Sequence, residues 1–161
     1  MLPNEYQPYQ RHRRWMAYAV ELAVAAGEAG EVPVAAVVVD GQDSLVSAAT
    51  NRQKRDRDPT AHAEILAIRQ ATQKQQNRYL TDCTLYVTLE PCPMCAGAIV
   101  HARLQVLVYG ADDPKTGAIR TVANLPDSAL SNHRLSVWGG ILESDCRHLL
   151  QDWFGRRRVG G

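Results

Sequence analysis

The pattern of apolar residues predicts an α/β chain, built as a mixed sheet with helices on both faces. Three observations carry that prediction. Short β-branched runs recur at 32–39, 84–89 and 106–110. Segments with helical spacing separate the later runs, which favours parallel pairing there. The first run is followed by Asp40-Gly41 and a second short run, the signal of an antiparallel hairpin.

Residues 1–10 hold two prolines, two tyrosines and polar side chains, and read as a flexible lead. From Arg13 to Ala26 the pattern is helical, because Met16, Ala19, Val20 and Ala23 fall at i, i+3, i+4 and i+7. Gly27 and Gly30 close that helix. VPVAAVVV (32–39) reads as a buried strand and LVSAAT (45–50) as its partner, while NRQKRDRDP (51–59) is loop by composition. Thr60 is the expected cap of a helix running from about Ala61 to Gln75, with Ile65, Leu66 and Ile68 on its buried side. TLYVTL (84–89) alternates as a strand does, and a helix opens at Pro91–Cys92 and continues through CAGAIVHAR. VLVYG (106–110) is a strand, ADDPKTGA (111–118) a loop, and RLSVWG (134–139) a candidate last strand. ILESDCRHLLQDWF (141–154) places Leu142, Cys146, Leu149, Leu150, Trp153 and Phe154 on one helical face, in a C-terminal helix read as 141–158.

A chain of 161 residues suits one domain, and its 45% hydrophobic and 22% charged residues exclude wholesale disorder. The net charge of +1 makes no global case for nucleic-acid binding. Basic clusters do stand at the two ends, Arg11 to Arg14 and Arg156 to Arg158; each reads equally as solvated charge or as a contact surface. No apolar run approaches the length of a membrane span, and the N-terminus lacks a signal-peptide core. The expectation is a cytoplasmic protein whose four cysteines are reduced thiols or metal ligands.

Three candidate metal ligands sit in two short motifs, HAE (62–64) and PCPMC (91–95). Both open a helix, and a helix N-terminus favours cysteine as the thiolate that binds zinc. Cys92 and Cys95 are one helical turn apart and can reach one ion; His62 completes a triad if the two helix starts lie side by side. Catalytic zinc keeps one position for water, so three protein ligands fit it. Glu64 then stands near the metal without ligating it, as a proton carrier requires. Two other readings remain open. A structural zinc needs a fourth donor, and Cys83, His101, His133 and Cys146 are candidates by type; a redox pair would use CxxC and leave HAE idle.

H-x-E…P-C-x-x-C is the pattern of the zinc nucleobase deaminases. More widely, the chain resembles the bacterial tRNA-specific adenosine deaminases, the TadA family. The resemblance includes VPVAAV (32–37), NR (51–52), DPTAHAEI (58–65), LYVTLEPCPMCAGAI (85–99), KTGA (115–118), NHR (132–134) and GIL (140–142). It implies a cytidine-deaminase-like three-layer α/β/α sandwich with a five-stranded mixed sheet, one Zn2+ per subunit, and a homodimer that holds tRNA with both subunits. The implied reaction turns adenosine into inosine at the wobble position of an anticodon stem-loop, chiefly of an arginine tRNA, with Glu64 catalytic and His62, Cys92 and Cys95 on the metal. By the same resemblance Asn51 and Ala63 meet the base, and Asp113 a ribose hydroxyl. Lys115, Arg156 and Arg157 meet the RNA backbone. Ala35, Thr50 and Asp112 depart from the usual family pattern, and Cys83 and Cys146 match no ligand and read as small buried hydrophobes.

Overall fold

The computed structural model describes residues 6–159. In chain order these form α1 (Tyr6–Glu28), β1 (Ala35–Val39), β2 (Leu45–Thr50), α2 (Gln53–Asp56), α3 (Ala63–Gln75) and β3 (Thr84–Leu89), then α4 (Pro93–His101), β4 (Val106–Ala111), β5 (Ser136–Trp138) and α5 (Glu143–Val159). One five-stranded sheet has the order β2-β1-β3-β4-β5. β1 pairs antiparallel with both β2 and β3, whereas β3, β4 and β5 run parallel. The expected mixed sheet is therefore present.

Alternation along the strands divides the core. Ala36 and Val38 of β1, Leu85 and Val87 of β3, and Leu107 and Tyr109 of β4 face α3 and α4. The intervening Ala35, Val37, Tyr86 and Val108 face α1 and α5. Successive side chains on a strand point to opposite faces, so strands buried on both faces read as unbroken apolar runs. The result is the α/β/α sandwich.

Several local expectations are corrected. The flexible lead is helix over residues 6–10, while residues 1–5 lie outside the described residues. Pro8 falls in the first helical turn, where its missing N–H has no acceptor to lose, and the Arg13 guanidinium packs over the Tyr9 ring at 5.9 Å. The loop at 51–59 contains the single turn α2, held by Glu31, whose buried carboxylate accepts the N–H groups of Lys54 and Arg55 at 3.4 and 2.7 Å. Thr60 is not a cap; its hydroxyl donates to Asp58 at 2.7 Å, and α3 begins after His62. The buried side of α3 is Ala63, Glu64, Ala67, Ile68 and Ala71, with Ile65 and Leu66 only half-buried. A helix lying this close to the sheet admits alanine where bulkier residues would hold it off.

The hairpin turn is also longer than the two residues expected. Asp40 to Ser44 form a loop closed by Asp40 N–H to the Ser44 carbonyl at 2.9 Å, with Asp43 in the left-handed region at φ 63°. Helix α1 explains this, because the Asp43 carboxylate accepts from Arg11, Arg14 and the Trp15 indole. No described helix is long and apolar enough to cross a membrane.

Candidate active site

The site lies at the C-terminal ends of the parallel strands, where open α/β sheets bind ligands. Two helix starts meet there. His62 is the N-cap of α3, with ψ 151°, and Cys92 is the N-cap of α4, with ψ 174° and Pro93 following. Serine, threonine, aspartate or asparagine usually holds such a position and accepts a backbone N–H. Neither side chain here makes a cap hydrogen bond. They turn to each other instead: His62 Nδ1 lies 3.6 Å from Cys92 Sγ and 3.4 Å from Cys95 Sγ.

All three donor atoms lie within 4.8 Å of one another. A tetrahedral zinc with bonds of about 2.1 Å to nitrogen and about 2.3 Å to sulfur separates such donors by about 3.6 Å, so the residues fit this metal. Cys83, His101, His133 and Cys146 are not in the cluster. The first and last are buried thiols pushed up to about 12 by burial. His133 Nε2 instead bonds the Leu104 carbonyl at 2.7 Å. Three donors with no fourth among the described residues is the ligand number of a catalytic site.

The electrostatics of the cluster suit a cation. The Cys92 thiol is pulled down to about 4, chiefly because Cys95 donates to it and, against burial, because His62 also bonds it. Cys95 is pushed up as that donor, and by burial. The His62 imidazole is raised first by its bond to Cys92. A lowered thiol favours the thiolate, the form that binds zinc.

Glu64 is 4% exposed, and burial raises its carboxyl above the ordinary range. It lines a cavity of about 130 Å³ with His62, Cys92, Ala63, Asn51 and Asp113. That is far smaller than the roughly 300–1,000 Å³ of sites for drug-sized ligands. The Oδ1 of Asn51 is buried and has no hydrogen-bond partner among the described residues. An unpaired buried acceptor points to a ligand donor.

The structure thus brings Glu64, His62, Cys92, Cys95, Asn51, Ala63 and Asp113 together. Lys115 does not line this cavity but the neighbouring groove between the 111–116 loop and α5. Asp113 accepts from Lys115 N–H at 2.9 Å and from Thr116 N–H and hydroxyl at 3.2 and 2.9 Å. A carboxylate has about four acceptor sites, so about one remains. Arg156 is exposed. Arg157 stacks over Trp153 at 3.5 Å and donates to the Gly30 carbonyl at 3.2 Å, so its guanidinium fastens α5 to the turn after α1. Val32, Val34, Gln53, Leu89, Glu90 and Thr116 also line the cavity and were not singled out from sequence. The one usable signal was Glu90, an acid between an apolar strand and Pro91. Burial alone would raise its carboxyl; the N–H groups of Arg120, Thr121 and Asp113 and the Thr121 hydroxyl hold it below the ordinary range.

The model of the MafB19-like deaminases matches residues 10–158. The chain belongs to this deaminase family. Within it, the deaminase is 47% identical over 145 residues to the tRNA-specific adenosine deaminase of Haemophilus influenzae, covering 90% of this chain and 84% of that protein. It superposes with a TM-score of 0.82 and 40% identity on a solved structure described under A-to-I editing by tRNA:A34 deaminases at the wobble position of transfer RNA, covering 85% of this chain and 99% of the other. A guanine deaminase from Nitrosomonas europaea is similar at 32% identity and a TM-score of 0.73, over 87% of this chain and 82% of that one. The deaminase therefore shares its fold with enzymes acting on RNA and on free bases.

Proposed function

We infer that this chain hydrolyses the amino group of adenosine to give inosine at the wobble position of a tRNA anticodon. The observation that carries the reading is the buried Glu64 carboxylate beside the three-donor cluster, with Glu64, His62 and Cys92 lining one small cavity. His62, Cys92 and Cys95 are the residues that would hold zinc. Zinc held there would activate a water near neutral pH as the nucleophile. Glu64 takes a proton from the attacking water and delivers it to the ring nitrogen beside the amine-bearing carbon. The water oxygen bonds to that carbon, and Glu64 then takes the second proton from the new hydroxyl and gives it to the amine, so the C–N bond breaks, the carbonyl forms and ammonia leaves. Burial of Glu64 keeps both transfers away from bulk water.

Asn51 Oδ1 takes a hydrogen bond from the base, and Ala63 lines the same wall. The remaining acceptor site of Asp113 suits a ribose 2′-hydroxyl, which selects RNA over DNA. Lys115, Arg156 and, through the end of α5, Arg157 suit backbone phosphates. An unpaired loop nucleotide enters such a cavity at lower cost than one in a duplex. The single domain would work as a homodimer in the cytoplasm, with one Zn2+ per subunit and an arginine tRNA as its chief substrate.

The test is incubation of the zinc-loaded protein with an anticodon stem-loop carrying adenosine at the wobble position. Free adenosine, cytidine and guanine run alongside. Inosine in the stem-loop alone is expected. Turnover of a small substrate with an untouched stem-loop would keep the chemistry and overturn the substrate.

A further inference from the structure

Glu90 makes no contact in the reaction just described, yet it is 2% exposed and faces the site. Every side-chain hydrogen bond it makes goes to one segment. Oε1 accepts Asp113 N–H at 3.1 Å and the Thr121 hydroxyl; Oε2 accepts the N–H groups of Ile119, Arg120 and Thr121 at 3.1, 2.9 and 3.1 Å. The main chain adds Glu90 N–H to the Ala111 carbonyl at 2.8 Å and Ala118 N–H to the Pro91 carbonyl at 2.9 Å. The segment is shaped to that carboxylate. A Cβ at Gly117 would lie 2.5 Å from Glu90 Cδ and 2.6 Å from the Asp113 carbonyl oxygen, so only glycine passes there.

We propose that Glu90 is the positioning residue of the substrate loop: it ties residues 113–121 to the strand end that carries Cys92, and so sets where Asp113 and Thr116 stand against the substrate. Asp113 and Thr116 are the two loop residues that line the base cavity. Four backbone N–H groups of the segment converge on this one carboxylate, so without it preorganisation is lost before the chemistry is touched. The kinetic part of the proposal rests on the reading of the cavity as the adenosine site; the structural part does not.

Two measurements on the full-length zinc-loaded protein test it. In Glu90→Gln, amide hydrogen exchange should accelerate at residues 113 and 119–121 and stay unchanged in α3 and α4, with the zinc content kept. On the wobble-adenosine stem-loop, KM should rise about tenfold or more while kcat changes less than about threefold. Thr121→Val removes one donor from an exposed residue and should give the same split more weakly, which covers a Glu90 variant that fails to fold. Unchanged exchange in the loop, acceleration spread through α3 and α4, loss of zinc, or a fall in kcat at constant KM would each overturn the proposal. Local acceleration with no inosine formed by the unmodified protein would leave the anchor standing and refute the adenosine reading instead.

Discussion

Replacing Asn51 by alanine should make the protein more stable and less active at once. Asn51 is 5% exposed, and its Oδ1 finds no partner among the described residues. Leaving such an acceptor unsatisfied costs about 1–3 kcal/mol, and the lower figure applies where a cavity admits water. The backbone bond from Asn51 N–H to the Val34 carbonyl at 3.1 Å survives in alanine, and the site is already open, so no sealed void is created. A gain of about 1 kcal/mol corresponds to a rise in Tm of about 2–4 °C for a chain of this size. On the proposed reading the same oxygen takes a base N–H, so its removal should lower kcat/KM by about 5- to 150-fold. Calorimetry and stem-loop kinetics on Asn51→Ala read the two effects separately. A lower Tm together with kcat/KM within about twofold of the parent would refute the reasoning, since Asn51 would then be a structural residue.

Four further outcomes are expected. Glu64→Gln should retain zinc, measured by elemental analysis, and lose about 10²–10⁴-fold in kcat, the range that a positioned proton carrier supplies; surviving turnover would remove Glu64 from the mechanism. Dialysis against a chelator should abolish activity and added Zn2+ restore it, whereas Cys92→Ala should fail to recover. His12 is buried against the Tyr86 hydroxyl at 2.9 Å and the Trp138 ring, and burial, then the Arg11 charge, lowers it to about 4. Between its ordinary value of 6.5 and about 4 the unfolded chain therefore binds a proton that the folded chain refuses. Stability should fall as pH drops through that window, by up to about 3 kcal/mol, and His12→Gln should flatten the fall in urea titrations. Gly110→Ala should destabilise by about 1–3 kcal/mol, because the new Cβ would meet Cys146 Sγ and stand 2.7 Å from the Thr88 carbonyl oxygen; a change below about 0.5 kcal/mol would show that α5 yields freely.

What the sequence disclosed about this molecule follows the distance over which each feature is determined. β2 and β3 span the residues 45–50 and 84–89 that their short apolar runs predict, because such a run is written into consecutive residues. The cluster of His62, Cys92 and Cys95 was legible for the same reason, as each half is a local motif at a helix start. The misreadings arise where distant residues decide. Asp40-Gly41 signals a tight turn, but three side chains of α1 hold Asp43 and lengthen it. Thr60 has the chemistry of a cap, yet the caps of α3 and α4 are His62 and Cys92, whose side chains turn to each other rather than to their own helices. Two helix starts thus forgo roughly 1 kcal/mol each of ordinary capping. That sacrifice is intelligible only through function, since a chain selected for stability alone would place serine or aspartate at both positions. Glu90 makes the complementary case. Its partners lie 23 to 31 residues ahead in the chain, and no periodicity or spacing connects them. The chemistry of the centre is therefore local, while the shape of the loop that meets the substrate is set by a single buried carboxylate reaching across the fold.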